Sequence, residues 1–153
     1  MSVEENLKKF NIKLPEPKDP VGAYVATKII GNLLFVSGQI SISENGELIT
    51  GKIGKDLNID EGYEAARCCG LSIISQVKKA CKNDFTKVKS CVKLTGYVNS
   101  IDNFSDQPKV INGASEIIKK IFDEKGLHTR AAISTNSLPL NVAVEVDAIF
   151  EIK

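Results

Sequence analysis

The most informative stretch of this sequence is RAAISTNSLPLNVAVEVDAIFEIK, residues Arg130–Lys153. Successive side chains of a β-strand point to opposite faces of its sheet, so a period of two separates core from surface. In the second half of the stretch one face is entirely apolar: Val142, Val144, Val146, Ala148, Phe150 and Ile152. The other face carries Glu145, Asp147, Ile149 and Glu151. The pattern predicts a strand with one buried face and one charged face.

The first half of the stretch alternates in the same way, and Leu138–Asn141 predicts a turn because proline fixes φ and cannot donate to a strand partner. We therefore expect a β-hairpin. If Ser137 pairs with Val142, Arg130 shares a face with Glu145. With the Arg130 guanidinium and the Glu145 carboxylate on one face of the sheet, that face could bind a carboxylate ligand and activate water. A solvated sheet face with unrelated charges is the alternative.

Length and composition are those of an ordinary globular protein. The chain has 153 residues, of which 42% are hydrophobic and 25% charged, which suits one domain whose core needs no disulfide or metal. Its net charge of +1 provides no general field that would attract nucleic acid or an anionic membrane. We expect binding to neither.

The N-terminus and the cysteines indicate a cytoplasmic protein. The first residues lack the apolar segment of a signal peptide, and no run approaches the roughly 18 apolar residues of a membrane span. The 4 cysteines form no C-x-x-C motif, and the chain has 1 histidine. Reduced, buried thiols and no metal site are therefore expected.

Hydrophobic periodicity predicts the remaining elements. Asn58 and Glu61 have the spacing of a helix capping box, Pro108 suits the first turn of a helix, and Asn45-Gly46 predicts a turn. The predicted segments are a short helix over 2–10, strands over 23–30 and 32–37, a helix over 58–82, a strand over 87–99 and a helix over 108–125.

The resulting order, β-β-α-β-α-β-β, favours an α+β fold in which two helices cover one face of a mostly antiparallel or mixed sheet. The other face is then uncovered and half apolar, which favours association of several copies. Leu14–Pro20 contains three prolines and cannot continue a helix. We therefore predict an N-terminal extension or tether over 1–19 and a single domain over 20–153.

Three segments combine into a pattern that is more specific than any one of them. They are GAYV at 22–25 with GNLLFVSGQ at 31–39, then Arg130, and then Leu138-Pro139 followed by VEVDAI at 144–149. In this order and spacing they resemble the Rid/YjgF family of reactive-intermediate deaminases. Older names of that family are endoribonuclease L-PSP and translation-initiation inhibitor. The resemblance covers Pro20–Lys153.

The resemblance implies a chorismate-mutase-like fold and a homotrimer whose sheets form a central barrel. It implies ligand clefts at the subunit interfaces that need no metal or organic cofactor. Deaminases of this family hydrolyse enamines or 2-imino acids, derived from amino acids such as serine and threonine, to 2-keto acids and ammonia. The expected partner is therefore a small carboxylate-bearing metabolite.

The resemblance also implies site residues. Arg130 would anchor the substrate carboxylate through paired hydrogen bonds, which the point charge of a lysine forms poorly. Glu145 matches a glutamate proposed to position or activate the attacking water. Tyr24 matches a tyrosine that lines the cleft from the first strand, and Asn112 matches a helix-borne asparagine near the site. Interface packing, backbone hydrogen bonding and structural ion pairs are the alternatives for these residues.

The sequence departs from the family pattern at several positions. Ala132 stands where a cysteine is common, Ser41 replaces the usual proline after Gly-Gln-Ile, and Ser115 replaces an aromatic residue. His128 lies two residues before Arg130, so it is predicted either at the rim of the cleft or on a surface loop.

The sequence is compatible with two other functions. The same clefts could bind a keto or amino acid without turnover, which would make the protein a small-ligand regulator. The ribonuclease activity of the older names requires a surface that binds phosphate. The only tight basic cluster is Lys78, Lys79 and Lys82, and a solvated helix face explains it better.

Overall fold

The computed structural model describes residues 1–153 and contains three α-helices and five strands. In chain order these are α1 (Val3–Lys9), β1 (Thr27–Ile30), β2 (Leu33–Ile40), α2 (Ile59–Ala80), β3 (Val88–Asn99), α3 (Gln107–Phe122), β4 (Thr129–Thr135) and β5 (Val144–Ile152). Short 3₁₀ turns cover Phe85–Lys87, Asp123–Gly126 and Pro139–Asn141. The predicted α+β class and the predicted order of elements are confirmed.

The features that predicted the N-termini of the two long helices are present in the structure. The Asn58 side chain accepts a hydrogen bond from the Glu61 backbone N–H at 2.9 Å, and the Glu61 carboxylate accepts one from the Asn58 N–H at 2.8 Å. This capping box satisfies two donors that the first turn of α2 would otherwise leave unpaired. Pro108 lies in the first turn of α3, where its missing N–H costs no helical hydrogen bond.

The two long helices pack on one face of the sheet and on each other. A core of 29 buried residues lies between these helices and the sheet and includes apolar residues at helical spacing in both helices, such as Ile73 and Val77 in α2 and Ile111 and Ile118 in α3. Gly113 of α3 lies where the helices touch, so a Cβ there would be 2.9 Å from the backbone nitrogen of Arg67 in α2. Close packing of α2 on α3 therefore depends on a residue without a side chain.

The sheet has the strand order β1-β2-β5-β3-β4. β3 and β4 run parallel, whereas the other neighbouring strands are antiparallel, so the sheet is mixed. α3 connects β3 to β4, which is the kind of crossover that a parallel pair requires. The predicted turn at Asn45-Gly46 is also present, since Ile42 and Leu48 pair across it.

The predicted C-terminal hairpin is wrong. β4 and β5 are not neighbours, because β3 lies between them and pairs with both. The predicted turn residues instead form a 3₁₀ turn in which Leu140 and Asn141 both have positive φ. Alternation of side chains identifies a strand and its two faces but carries no information about which strand lies beside it.

The predicted faces of β5 are confirmed. Val144, Val146, Ala148, Phe150 and Ile152 are buried against the helices, and the residues between them are partly exposed on the other face. We call this uncovered side of the sheet the open face; β5 contributes to it Glu145, Asp147, Ile149 and Glu151.

The N-terminal segment lies against the domain. The buried Asn6 of α1 donates to the Ile121 carbonyl at 3.0 Å, and Gln76 of α2 donates to the Lys18 carbonyl at 2.7 Å. An ion pair of 2.8 Å joins Lys79 to Asp19. The predicted extension is therefore attached at both of its ends, and the domain boundary at residue 20 stays a prediction.

All four cysteines are buried free thiols, as predicted. Burial raises their pKa values, to about 12 for Cys91 and to about 11 for Cys68. None of the helices combines the length and the apolar character that crossing a bilayer requires. No three His, Cys, Asp or Glu side chains are grouped so that they could hold a metal ion.

Candidate functional site

Arg130 projects from the edge strand β4 on the side of the sheet that the helices cover. Its register partner on β3 is Leu94, which is fully buried in the core. Residues directly opposite each other on paired strands share a face. The guanidinium therefore reaches α3, which passes over this end of β4.

α3 holds one end of that guanidinium. Nη1 donates to Asn112 Oδ1 at 2.8 Å and to Ser115 Oγ at 3.1 Å, which uses both of its hydrogens. Nη2 lies 3.5 Å from the Pro108 carbonyl oxygen. Neither a carboxylate nor any other acceptor of the subunit binds Nε–H. The edge formed by Nε and Nη2 is the one on which a carboxylate binds with two parallel hydrogen bonds.

Ser115 is hydrogen-bonded in turn to the only histidine. Ser115 Oγ lies 2.9 Å from His128 Nε2, and His128 Nδ1 lies 2.7 Å from the carbonyl oxygen of Gly126. All of these side chains are partly buried. His128 therefore stands two hydrogen bonds from the Arg130 guanidinium.

Glu145 lies on the open face of the sheet, opposite Tyr97 of β3 and Ile40 of β2. Its carboxylate packs against Gly38, where the absence of a side chain provides the room. Burial raises the pKa of this carboxyl, and the charge of Asp147 raises it further. No group of the subunit donates to it, so its oxygens are available to a water molecule.

Arg130 and Glu145 do not share a surface within one subunit, contrary to the sequence prediction. The parallel pairing of β4 with β3 turns Arg130 toward α3, whereas Glu145 points away from the helices. The sequence prediction assumed that the two strands pair directly. Because β3 lies between β4 and β5, Arg130 and Glu145 are not on directly paired strands.

Of the other predicted site residues, Asn112 is beside Arg130 and Tyr24 is not. Tyr24 is 57% exposed and lies in an irregular segment before β1, which begins at Thr27 and not at residue 23 as predicted. Hydrogen bonds of Ser37 to the Val25 and Ala26 carbonyls, at 2.8 and 2.9 Å, attach this segment to β2. Tyr24 itself makes no hydrogen bond to Arg130 or Glu145.

Tyr97 is a residue of the open face that the sequence prediction missed. Its hydroxyl donates to Asp147 Oδ2 at 3.2 Å, and it lies opposite Glu145 in the register. Burial, followed by the two carboxylates, raises its pKa. The alternation of β3 places Tyr97 on the face opposite the buried Leu94 and Val98, but only its pairing with β5 brings it to Glu145.

Two concavities of the subunit lie away from these residues. One of about 410 Å³ is lined by α1 and the turn after α3, and one of about 330 Å³ lies between 13–16 and α2. Arg130, Asn112, Glu145 and Tyr24 line neither of them. The candidate site residues therefore lie outside these two concavities, at the edge strand β4 and on the open face of the sheet.

Comparison with known proteins identifies the family. The model of the family described as "YjgF/chorismate_mutase-like, putative endoribonuclease" matches residues 4–152. The chain belongs to this YjgF/Rid family. The resemblance found in the sequence and the chorismate-mutase-like fold are thereby confirmed.

Three relatives illustrate the range of the YjgF/Rid family. Protein TCP17 of Trypanosoma cruzi is 42% identical, over 98% of this chain and 94% of its own length. The crystal structure of Atu1372 from Agrobacterium tumefaciens, a protein of unknown function, is 40% identical with a TM-score of 0.90 and covers 99% of this chain and 94% of its own. The 2-iminobutanoate/2-iminopropanoate deaminase of Dermatophagoides farinae is 25% identical over 93% of this chain and 95% of its own length.

Proposed function

We propose that this protein hydrolyses reactive enamines and 2-imino acids to 2-keto acids and ammonia, without a cofactor. The observation that carries the proposal is the Arg130 guanidinium, which α3 holds at Nη1, while no acceptor of the subunit binds its Nε–H and Nη2 makes only a long contact of 3.5 Å to the Pro108 carbonyl. A planar, permanently charged fork of this kind fits the carboxylate that all 2-imino acids share. The deaminase among the relatives supports the same reaction class.

In the proposed reaction the enamine first tautomerises to the imine, and water then adds to the imine carbon. The imine reacts in its N-protonated form: the water oxygen forms the new C–O bond as the C=N π bond breaks toward nitrogen, and a water proton passes to the Glu145 carboxylate. Glu145 then returns this proton to the amine of the resulting carbinolamine. The C–N bond breaks and ammonia leaves, and the hydroxyl group gives up its proton to the departing ammonia as the keto group forms. The raised pKa of Glu145 brings its basicity closer to what proton transfer near neutral pH requires.

Because Arg130 and Glu145 lie on opposite sides of the sheet, we propose that the complete site uses Arg130 of one subunit and Glu145 of a neighbour. The open face supports this assembly, since apolar side chains are exposed on it: Phe35 is 38% and Ile133 47% exposed. A homotrimer that packs these faces together would cover them. The exposed Tyr24 would then have a neighbouring subunit to contact.

The first experiment measures turnover. 2-Aminoacrylate is generated in situ with a serine or threonine dehydratase, and release of pyruvate or 2-ketobutyrate is followed with and without the protein. Loss of two charge-assisted hydrogen bonds, worth about 1.5 kcal/mol or more each, predicts that Arg130→Ala lowers kcat/KM about a hundredfold. Arg130→Lys keeps the charge but loses the fork, so only a small part of the activity returns.

Arg67→Ala is the matched control, because Arg67 is the other arginine of the chain and pairs on α2 with Glu64 at 2.8 Å. It should behave as wild type. Acceleration that survives Arg130→Ala would show that the site is misplaced. A folded protein that binds 2-ketobutyrate but accelerates no imine hydrolysis would instead support the regulator hypothesis.

A second experiment tests the shared site. Arg130→Ala and Glu145→Gln subunits are each inactive by this proposal. When they are unfolded together and refolded, mixed oligomers contain some sites with both native side chains, so part of the activity should return. If each site lay within one subunit, every site in the mixture would carry a defect and no activity would return.

A further inference from the structure

We infer that Ser115 and His128 are positioning residues for Arg130, a role that rests on the proposed function of Arg130 as a carboxylate anchor. The three side chains come from α3, from the segment after it and from β4. They form an uninterrupted series of hydrogen bonds from the Gly126 carbonyl to Arg130 Nη1. The proposed reaction mechanism itself uses neither Ser115 nor His128.

The Gly126 carbonyl and the Arg130 guanidinium fix the directions of the two outer hydrogen bonds in this series, and a neutral imidazole then fixes the bond between Ser115 and His128. A carbonyl oxygen only accepts, so His128 Nδ1, 2.7 Å from the Gly126 carbonyl, carries the hydrogen. In neutral imidazole Nε2 is then an acceptor, and the Ser115 hydroxyl donates to it over 2.9 Å. The hydroxyl hydrogen is thereby directed away from Arg130, so a lone pair of Ser115 Oγ faces Nη1 at 3.1 Å.

This direction matters because Arg130 can only donate. A serine whose hydroxyl rotated freely would present its hydrogen to the guanidinium for part of the time and repel it. With His128 as acceptor, Ser115 and Asn112 together capture both hydrogens of Nη1. The guanidinium plane is then held in one rotational state, in which Nε–H has no acceptor within the subunit and can donate to a ligand carboxylate. Preorganisation of this kind raises affinity without adding a contact to the ligand.

The first test is independent of turnover. Because the chain has a single histidine, the imidazole ¹⁵N resonances of the intact protein belong to His128. The inference predicts the tautomer in which Nδ1 carries the hydrogen and Nε2 accepts, and a change in the Nε2 chemical shift in Ser115→Ala. The opposite tautomer would remove the donor to the Gly126 carbonyl and reverse the hydrogen bond between Ser115 and His128, which would overturn the inference.

The second test compares KM and kcat. A carboxylate anchor binds ground state and transition state alike, so Ser115→Ala should raise KM about tenfold with kcat changed less than about twofold. Ser115→Thr retains the hydroxyl and should restore KM. His128→Phe, which keeps a ring but has no acceptor, should raise KM, and His128→Gln, whose amide oxygen can accept, should restore part of it. An unchanged KM in Ser115→Ala overturns the inference.

His128 should act on Arg130 only through Ser115. The double variant Ser115→Ala/His128→Phe should bind no more weakly than Ser115→Ala, because His128 reaches Arg130 only through Ser115. Effects that multiply would show separate roles and contradict the inference.

Binding of 2-ketobutyrate, measured by calorimetry, separates this inference from the proposed function. If the protein turns over no imine, a tenfold weaker Kd for 2-ketobutyrate in Ser115→Ala, with wild-type affinity in Arg67→Ala, still supports the positioning role. Equal affinities in wild type and Ser115→Ala contradict it, whether or not the deaminase reaction occurs.

Discussion

At the residue scale, the open face depends on a glycine. A Cβ on Gly38 would overlap the Glu145 carboxylate and lie 3.1 Å from its Cγ. Gly38→Ala should therefore displace the Glu145 side chain and lower the free energy of unfolding by about 1–3 kcal/mol, as overpacking does. Chemical denaturation measures the loss, and the deaminase assay should show reduced turnover.

The control for this variant is Gly38→Ala combined with Glu145→Ala, which removes the atoms that the new methyl group meets. Most of the lost stability should return, because the clash no longer exists. If the double variant is as unstable as Gly38→Ala, the cost arises from the backbone and not from Glu145.

Glu145 also predicts a pH dependence of stability. Its folded-state pKa lies above the ordinary value of 4.5, because burial and Asp147 disfavour the charged carboxylate. The carboxylate is therefore unfavourable at neutral pH, and the penalty decreases as the pH falls through the folded-state pKa toward 4.5. Glu145→Gln, which carries no charge, should have a higher Tm than wild type at neutral pH.

The difference in Tm between Glu145→Gln and wild type should shrink as the buffer approaches pH 5. Thermal denaturation of both proteins between neutral pH and pH 5 measures this difference in Tm. Glu124→Gln, at an exposed site, is the control. A Tm difference that is independent of pH would show that the substitution acts through packing and not through charge.

At the element scale, the close contact between α2 and α3 predicts that a Gly→Ala substitution in α3 destabilises the protein, although the same substitution usually stabilises a helix. Gly→Ala in an exposed helix normally stabilises it by up to about 1 kcal/mol. At Gly113 the added Cβ would overlap the Tyr63 backbone carbonyl of α2 and lie 2.9 Å from the Arg67 nitrogen. Gly113→Ala should therefore lower the free energy of unfolding by about 3 kcal/mol or more, since backbone atoms of a helix cannot move aside alone.

Lys119→Ala, at an exposed position of the same helix, is the control and should change stability by less than about 0.5 kcal/mol. Urea denaturation followed by circular dichroism compares the two variants. A Gly113→Ala protein as stable as wild type would mean that the two helices can separate at little cost.

At the scale of the whole molecule, the open face predicts the assembly. By the proposed trimer, the protein should sediment at about three times its chain mass of 16.6 kDa. Ile133 is exposed on the open face opposite Tyr97, so Ile133→Lys would place a charge inside the interface. This variant should sediment as a monomer and lose turnover, because no neighbour then completes the site.

Leu48→Lys provides a comparison, since Leu48 is similarly exposed at 41% but lies in the loop after β2. It should remain trimeric. An Ile133→Lys protein with the mass and activity of wild type would mean that the open face is not the interface.

Interactions between residues close together in the sequence determined where the long helices begin and which face of β5 is buried. The capping box at Asn58, the proline in the first turn of α3 and the faces of β5 follow from short-range geometry and were predictable from the sequence. The resemblance to the YjgF/Rid family was also carried by short motifs. Asn112 and Arg130, both named from that resemblance, lie within 2.8 Å of each other.

Tertiary structure alone decided which strand lies beside β4. Alternation in the sequence is the same for a hairpin and for a parallel strand reached through a helix, because it reports faces and not neighbours. The crossover through α3 pairs β4 with β3, and this turns Arg130 toward Asn112, Ser115 and His128 and away from Glu145. Strand pairing is a long-range contact, whereas a side-chain period is a property of adjacent residues.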